Sequence, residues 1–466
     1  MTLSRRSFLT QSAAGITLGF AGLHRLCAGA EPAVTGAAAG YGPLVPDARG
    51  ILNLPAGFSY RVISQSGQEM DDGLLVPGLP DGMAAFPGPG GLTVLVRNHE
   101  MEPPEAEGSP FGPRGERLTA EHIARGWDLA GRTPSLGGTT TLVYDTRTNE
   151  LKRQWLSLAG TNRNCAGGPT PWNSWLTCEE DVLRAGEHGQ RDHGWVFEVP
   201  VTATPELHQA VPLRDMGRFY REAVAVDERT GIVYMTEDRS DAAFYRFIPN
   251  TPGKLAEGGT LQALRVRGRR PSTDTRNWGA APAIPVGARL EVEWVTLDRV
   301  SSPNDELRHR VAEEFGGAVF ARTEGIWAGA DRLYIGCTTG GRTKLGQIWT
   351  YTPSPHEGTP GEREAPGVLE LFIEPNDGAL IENADNLTMA PWGDVIVCED
   401  SRKNDRLVGV TPEGGLYTFA ENVGSTTEFA GVCFSPDGST LFVNMQYDGR
   451  TVAITGPWRQ RGPGRK

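Results

Sequence analysis

Short β-rich segments follow one another along almost the whole chain, and turn residues separate them. Examples are LTVLVRN at 92–98, TTTLVYD at 139–145, RLYIGCTT at 332–339 and DVIVCED at 394–400. Helical periodicity is scarce and predicts only two short helices, within 119–125 and 304–315. Strands this short cannot bury a core singly, but four-stranded sheets repeated around an axis can. We therefore predict an all-β β-propeller of five to seven blades, six being favoured, with short helical insertions; a jelly roll is the alternative.

The N-terminus has the pattern of a twin-arginine export signal. SRRSFLT at 4–10 carries the arginine pair, a mildly apolar stretch follows at 13–23, and Ala28-Gly29-Ala30 offers a cleavage site. The apolar stretch is too short to span a bilayer, so no stable membrane anchor is predicted. We expect the twin-arginine machinery to export the chain to the periplasm or the medium.

The sequence divides into four predicted segments. They are the signal peptide at 1–30, a linker at 31–50, a single propeller domain at 51–458 and a basic disordered tail at 459–466. We expect the mature protein to be a monomer.

The mature chain is acidic and has an odd number of cysteines. Cleavage after Ala30 removes three arginines and no acid, so the formal net charge moves from −12 to −15. This charge argues against nucleic acid as a partner, because such binding depends on neutralising phosphates. Five of the six cysteines remain, which leaves at least one thiol unpaired or bound to a metal in an oxidising compartment. No zinc-type Cys-x-x-Cys pair is present.

Acidic residues recur at the start of the repeated segments. Aligned on their turns, REAVAVDERTG, TEGIWAGAD, ENADNLTMAPWGD and TEFAGVCFSPDG supply Glu222, Glu324, Asp385 and Glu428, and NCAGGPTPWNSW places Cys165 in the same frame. In a propeller the strand that enters a blade lines the central channel. Four carboxylates and one thiol would then share one axial space, where their charges repel unless cations are bound.

Strand ends add further acids, and the donor set indicates the metals. Acidic residues end several second strands, in RNHE, TCEE, TED and CED; of these we select Glu100 and Glu179 as candidate ligands. Carboxylates suit hard ions such as Ca²⁺. A thiolate suits a transition metal such as iron, here Fe³⁺. The residues therefore predict a mixed site that holds calcium and a softer metal.

These motifs together resemble the PhoX-type alkaline phosphatases. NHE, NCAGGPTPWNSWLTCEE, RTEG and ADNLTMAPWGD carry the resemblance, which extends from about 57 to 457. It implies a six-bladed propeller whose axial iron and calcium ions hydrolyse phosphomonoesters. It also implies iron ligation by Cys165, further metal ligands at Glu222, Glu324 and Asp385, and a phosphate contact by Arg322. The family's histidine before the Glu222 position is Arg221 here.

The chemistry is consistent with a small phosphomonoester as substrate. Clustered cations would attract a dianion to this acidic chain, polarise its phosphoryl oxygens and activate a metal-bound oxygen nucleophile. Arg322 would hold the equatorial oxygens through its planar fork. Neither a G-x-S-x-G elbow nor a phosphate loop ending in Lys-Ser or Lys-Thr occurs, so a protein nucleophile is not expected.

Two other functions stay open at this point. A calcium-dependent propeller lactonase or sugar-acid hydrolase would use similar acids with Asn383 or Asn386, but it would not need Cys165. A non-catalytic binding propeller would explain the repeats but not the convergence of acids.

Overall fold

The computed structural model describes residues 40–103, 107–131, 133–279, 283–401 and 403–459. The predicted signal peptide lies outside the described residues, as does the predicted tail apart from Arg459. Among the described residues, no helix has both the length and the apolar character needed to cross a membrane.

Strands dominate the described part of the chain. The first thirteen are β1 Leu44–Val45, β2 Leu52–Pro55, β3 Ser59–Gln65, β4 Pro80–Pro87, β5 Thr93–His99, β6 Gly137–Asp145, β7 Glu150–Thr161, β8 Asn164–Pro169, β9 Ser174–Glu179, β10 Val196–Pro200, β11 Arg221–Val226, β12 Val233–Glu237 and β13 Tyr245–Pro249. The others are β14 Gly259–Val266, β15 Arg289–Thr296, β16 Thr323–Ala328, β17 Leu333–Cys337, β18 Gln347–Thr352, β19 Val368–Ile373, β20 Ala384–Met389, β21 Val395–Glu399, β22 Arg406–Val410, β23 Leu416–Asn422, β24 Phe429–Phe434, β25 Thr440–Met445 and β26 Arg450–Thr455.

These strands form antiparallel sheets. Within the described residues the orders are β4-β5-β6-β7, β10-β9-β8, β11-β12-β13-β14-β15-β19-β18-β17-β16, β1-β2-β23-β22-β21-β20 and β24-β25-β26-β3. The nine-stranded sheet is continuous because β15 pairs with both β14 and β19. It therefore has a channel-lining strand at each of its two edges.

One edge strand of each sheet lines the axis, except that the nine-stranded sheet contributes both of its edge strands, and these strands form a closed ring. The inner strands β4, β8, β11, β16, β20 and β24 contact one another in this cyclic order, and β24 returns to β4. The predicted all-β propeller is therefore confirmed. The count of six blades stays a prediction, because two of the inner strands belong to the one nine-stranded sheet.

The two ends of the described chain close the ring. β3, near the N-terminus, pairs with β26 and completes the last sheet, with Val62 opposite Val452. Buried side chains then join this sheet to the first one, among them Tyr144 and Phe442, whose rings meet edge to face at 5.2 Å. Similar apolar clusters fill the spaces between other neighbouring sheets, and this burial is the main favourable contribution to folding.

Both predicted helices are present. Helix α1 is Ala120–Arg125, and Thr119 caps it through a hydrogen bond from the His122 N–H. Helix α2 is Leu307–Glu313, and its Leu307 and Val311 side chains are buried. Single 3₁₀ turns occur at Pro89–Gly91, Arg214–Met216, Leu255–Glu257 and Pro360–Arg363.

The segment predicted as a linker at 31–50 includes an ordered strand. β1 lies within that range and pairs with β2, with Leu44 opposite Pro55. The proposed domain limits otherwise stay a prediction.

Candidate functional site

The same register recurs where each inner strand begins. We refer to an inner strand and the strand that follows it along the chain as a repeat. In all six repeats of the described chain, the first residue of the inner strand pairs with the last residue of the second strand, as Pro80 does with His99. A shift in register follows in every inner strand. Such bulges re-aim side chains and are common beside active sites.

This register defines three positions in each repeat. The inner position, the second residue of the inner strand, is occupied by Asp81, Cys165, Glu222, Glu324, Asp385 and Ala430. The strand-end position, directly after the second strand, is occupied by Glu100, Glu180, Asp238, Thr338, Asp400 and Gln446. The entry position, directly before the inner strand, is occupied by Leu79, Arg163, Tyr220, Arg322, Asn383 and Glu428.

A backbone hydrogen bond couples the last two positions in every repeat. The N–H of the strand-end residue donates to the carbonyl of the entry residue; Glu180 donates to Arg163 at 2.9 Å, and Asp238 donates to Tyr220 at 3.0 Å. Each repeat therefore places three residues at the same end of the axis.

These positions surround a polar cavity of about 210 Å³. Its lining combines acids, two arginines and a thiol: Asp81, Glu100, Arg163, Cys165, Glu180, Asp238, Arg322, Glu324, Asp385, Asn386, Asp400, Glu428, Ala430, Gln446 and Tyr447. Glu222 adjoins it and is buried, with its Oε1 3.0 Å from the Cys165 Sγ.

The acidic groups form four overlapping clusters. They are Asp81–Glu100–Cys165, Cys165–Glu180–Glu222, Glu222–Glu324–Asp385 and Asp385–Asp400–Glu428. Within each cluster the potential ligand atoms lie within 4.8 Å of one another. Cys165, Glu222 and Asp385 each belong to two clusters, so the clusters form a continuous chain of donors around the axis.

Burial and mutual repulsion dominate the electrostatics of the site. Burial, together with the carboxylates of Glu180 and Glu324, raises the pKa of Glu222 well above its usual range. Burial and the Asp81 and Glu222 carboxylates likewise raise the pKa of the Cys165 thiol. Without cations these groups would therefore hold their protons, whereas bound cations would favour the charged forms.

Two arginines carry positive charge into this acidic cavity. Arg322 makes a two-point contact with Asp238, at 2.8 and 3.0 Å, and an ion pair with Glu324 at 2.6 Å. Arg163 forms ion pairs with Glu100 at 2.7 Å and with Glu180 at 2.8 Å. The Glu324 carboxylate is the largest of the effects that raise the pKa of Arg322, so its guanidinium stays charged.

Close packing of the inner strands positions Cys165. The Asn98 side-chain amide donates to the carbonyls of Cys165 and Ala166, and its oxygen accepts the Trp175 indole N–H at 2.8 Å. A Cβ on Gly168 would lie 2.0 Å from the carbonyl oxygen of Val224 on the next inner strand. The glycine is therefore required by close approach rather than by a left-handed backbone.

Seven of the eight predicted site residues lie together at this end of the axis: Glu100, Cys165, Glu222, Arg322, Glu324, Asp385 and Glu428. Their roles as ligands or catalytic groups stay predictions. Glu179 does not join them. Its carboxylate faces into the blade and accepts hydrogen bonds from the backbone N–H groups of Asn162, Gly194 and Trp195.

Glu428 lines the cavity, but from a different position in its repeat than the sequence alignment predicts. It occupies the entry position, and Ala430 stands at the inner position of its repeat. The alignment of Glu428 with Glu222 and Glu324 is therefore two residues out of register.

Five further charged residues that the sequence analysis did not select as site residues line the cavity: Asp81, Arg163, Glu180, Asp238 and Asp400. A usable signal was present in the dipeptides at the ends of the second strands. Because side chains alternate along a strand, the first residue of each dipeptide faces into the blade and the second faces the axis. Glu237, for example, accepts hydrogen bonds from the Ala243 N–H and the Tyr245 hydroxyl, whereas Asp238 lines the cavity.

Arg221, at the position where the resemblance implies a histidine, does not face the cavity. It is fully buried, donates hydrogen bonds to the carbonyls of Met216 and Gly217, and lies 3.8 Å from the Phe219 ring centroid. Its contacts are those of a structural residue.

The comparison with one solved structure agrees with this architecture. The structure of Pseudomonas fluorescens PhoX in complex with vanadate, a transition state analogue, superposes with a TM-score of 0.62 at 18% identity, covering 89% of this chain and 97% of that one. A gluconolactonase from Xanthomonas campestris gives a TM-score of 0.38 at 12% identity, with 89% and 98% coverage. Among curated proteins, none matches this sequence significantly. The sequence matches the family model "Alkaline phosphatase PhoX" over residues 39–449, so the chain belongs to the PhoX alkaline phosphatase family, whose members are phosphoric monoester hydrolases.

Proposed function

We propose that this chain is a phosphomonoesterase whose axial cavity holds calcium and ferric ions. The observation that carries the proposal is the chain of four overlapping donor clusters, which contains carboxylates and a single thiol. The family supplies the reaction class. The metals, and the residues that hold them, are inferred from the donor set.

The donors fit such ions in number and in kind. Among the described residues, nine carboxyl groups face two guanidinium groups at this end of the axis, so the ionised carboxylates are not balanced without added cations. The Glu222 Oε2 atom is buried and has no hydrogen-bond partner among the described residues. Buried carboxylate oxygens of this kind normally have a partner or a metal.

The two classes of donor suggest how the metals are distributed. Cys165, with its neighbours Glu180 and Glu222, would hold iron, because a thiolate is a poor ligand for calcium. The clusters that lack sulfur, around Asp385, would hold Ca²⁺. When bound, such cations polarise phosphoryl oxygens and lower the pKa of coordinated water.

Arg322 is the residue that we assign to the phosphoryl group. Its guanidinium is held at the cavity wall by Asp238 and Glu324, and 31% of its side chain remains exposed. The planar fork can donate two parallel hydrogen bonds to phosphoryl oxygens and stabilise the charge that they carry in the transition state. Asp238 orients the fork and thereby reduces the entropy lost on substrate binding.

The export route and oligomeric state complete the proposal. The SRRSFLT motif supports export by the twin-arginine machinery, which carries folded chains and so allows metals to be loaded before export. We propose a monomer in the periplasm or the medium.

The test is activity together with elemental analysis of protein purified without chelators. We expect hydrolysis of an aryl phosphomonoester, fastest at alkaline pH, with both iron and calcium bound. Calcium without iron, together with lactone hydrolysis and no phosphatase activity, would instead identify a lactonase. Absence of both metals and of both activities would indicate a binding propeller.

A further inference from the structure

We propose that Arg163 is a second phosphoryl-binding residue that acts together with Arg322. This inference rests on the proposed phosphatase function and adds a residue that contacts the substrate. It follows from an equivalence between the two arginines that is visible in the repeats.

Arg163 and Arg322 occupy the same place in their respective repeats. Each stands at the entry position, two residues before an inner-position donor, Cys165 or Glu324. Each has a left-handed backbone, with φ of 44° and 50° respectively. Each backbone carbonyl accepts a hydrogen bond from the strand-end residue of the same repeat.

The two guanidinium groups also share a contact with the preceding repeat. Arg163 reaches back to Glu100, the strand-end acid of the preceding repeat, at 2.7 Å. Arg322 reaches back to Asp238, the strand-end acid of its own preceding repeat, at 2.8 Å. Each arginine also pairs with an acid of its own repeat, Glu180 for Arg163 and Glu324 for Arg322. The acid of the arginine's own repeat stands at the strand-end position for Arg163 and at the inner position for Arg322, and both guanidinium groups lie at the wall of the same cavity.

The other entry positions show that a cation is not required there by the fold. Leu79 and Asn383 adopt the same left-handed backbone without carrying a charge, and their carbonyls accept the equivalent hydrogen bond. Arginine at this position is therefore not needed to make the turn. Its role lies in what the guanidinium contacts within the cavity, where 26% of the Arg163 side chain remains exposed.

The size of the cavity suggests which part of the substrate the arginines contact. About 210 Å³ is below the usual range of roughly 300–1,000 Å³ for ligand pockets, so it suits a phosphoryl group with cations but not the alcohol as well. A monoester has three peripheral phosphoryl oxygens, whereas in a diester one of the three carries a second substituent. Two arginine forks and the cations can together engage all three oxygens. Arg163 would thus favour monoesters over diesters.

The experiment compares Arg163→Gln and Arg163→Lys with the parent, each loaded with metals. The dissociation constant of inorganic phosphate is measured by equilibrium dialysis, and kcat/KM is measured for an aryl monoester and the matching diester. We expect Arg163→Gln to weaken phosphate binding about 10-fold and to lower monoester kcat/KM by about 10- to 100-fold, with a smaller loss for the diester. The phosphate affinity and the monoester kcat/KM of Arg163→Lys should lie between those of the parent and of Arg163→Gln, because lysine keeps the charge but not the planar fork.

Arg239→Gln is the matched control. Arg239 is a neighbouring arginine with a similar exposure of 27%, it pairs with Asp305, and it does not line the cavity. It should bind phosphate as the parent does. Unchanged phosphate affinity in Arg163→Gln would overturn the inference, as would a loss of metal in proportion to activity. A parent that binds phosphate through Arg163 but hydrolyses no ester would overturn the proposed function instead.

Discussion

Glu179 and Glu180 are adjacent in the chain, yet their carboxylates face opposite sides of the same blade. Glu179 is fully buried and is bound by three backbone N–H groups and by the His193 ring nitrogen at 2.6 Å. Glu180 lines the axial cavity and contacts Arg163 at 2.8 Å. Because successive side chains along a strand point to opposite sides, Glu179 is a structural acid and its neighbour Glu180 is a candidate metal ligand.

Substitution of these two glutamates should separate stability from metal binding. Glu180→Gln removes a charged donor from the cavity, and we expect it to lower iron content and phosphatase activity by at least about 10-fold while the protein remains folded. Glu179→Gln breaks a buried pair with His193 and should lower the free energy of unfolding by about 3–5 kcal/mol. The measurements are elemental analysis, kcat/KM and the urea midpoint.

Each variant is the control for the other. If Glu179→Gln lost its metals while its urea midpoint stayed at the parent value, Glu179 would be a ligand and the assignment to Glu180 would be wrong.

The sequence was sufficient for the architecture and for most of the site because both repeat. Short strands separated by turns predict a propeller, and recurring acids such as Glu222 and Glu324 mark its axis. The choice between Glu179 and Glu180 depends on which end residue pairs with Asn164, a register that spacing alone does not reveal. The predicted position of Glu428 is wrong for the same reason. Phe429 pairs with Met445 as the first residue of its inner strand, and this pairing puts Glu428 one residue before that strand.

Arg322→Lys should weaken catalysis without displacing the metals. Lysine keeps the positive charge beside Asp238 and Glu324 but loses the planar fork. We expect kcat/KM for a phosphomonoester to fall by the equivalent of about 1–3 kcal/mol, at unchanged iron and calcium content. A fully active variant would show that the phosphoryl group is bound elsewhere.

Prolonged treatment with EGTA should abolish phosphatase activity, and added Ca²⁺ should restore it. The physical reason is that the donor clusters without sulfur, such as Asp385–Asp400–Glu428, offer the oxygen ligands that calcium prefers. Activity is followed after back-titration with Ca²⁺, Mg²⁺ or Zn²⁺ in parallel. Recovery with zinc but not with calcium would contradict the proposed ligand chemistry.

His193 should make stability depend on pH in the alkaline range. Burial alone would lower its pKa, but the Glu179 and Asp128 carboxylates outweigh burial and raise the pKa to about 10. The folded state therefore binds the proton more tightly than the unfolded state, whose histidine has a pKa of about 6.5. This stabilisation is fully present below pH 6.5 and is lost as the pH rises through about 10.

The urea midpoints of the parent and of His193→Gln, measured from pH 6 to pH 10, test this linkage. The difference in free energy of unfolding between the two proteins, obtained from these urea titrations, should be largest at the acidic end. It should decrease by at most about 1.4 kcal/mol per pH unit. A difference that does not change with pH would mean that folding leaves the pKa of His193 unshifted.

Cys165→Ser should remove the colour, most of the iron and most of the activity, and should leave the fold intact. A ferric thiolate absorbs visible light through charge transfer from sulfur to iron, so we expect the native protein to be coloured. Cys165 packs outside the apolar clusters between the sheets, and its backbone is held by Asn98, so the propeller does not depend on its sulfur. Cys178→Ser is the matched control, because Cys178 is buried in an apolar cluster and lies on the strand that follows the one carrying Cys165. It should lower the urea midpoint but keep the visible band.

Mass spectrometry under non-reducing conditions provides the decisive check, since all five described cysteines are free thiols. If Cys165 were found in a disulfide within active protein, it could not be the iron ligand.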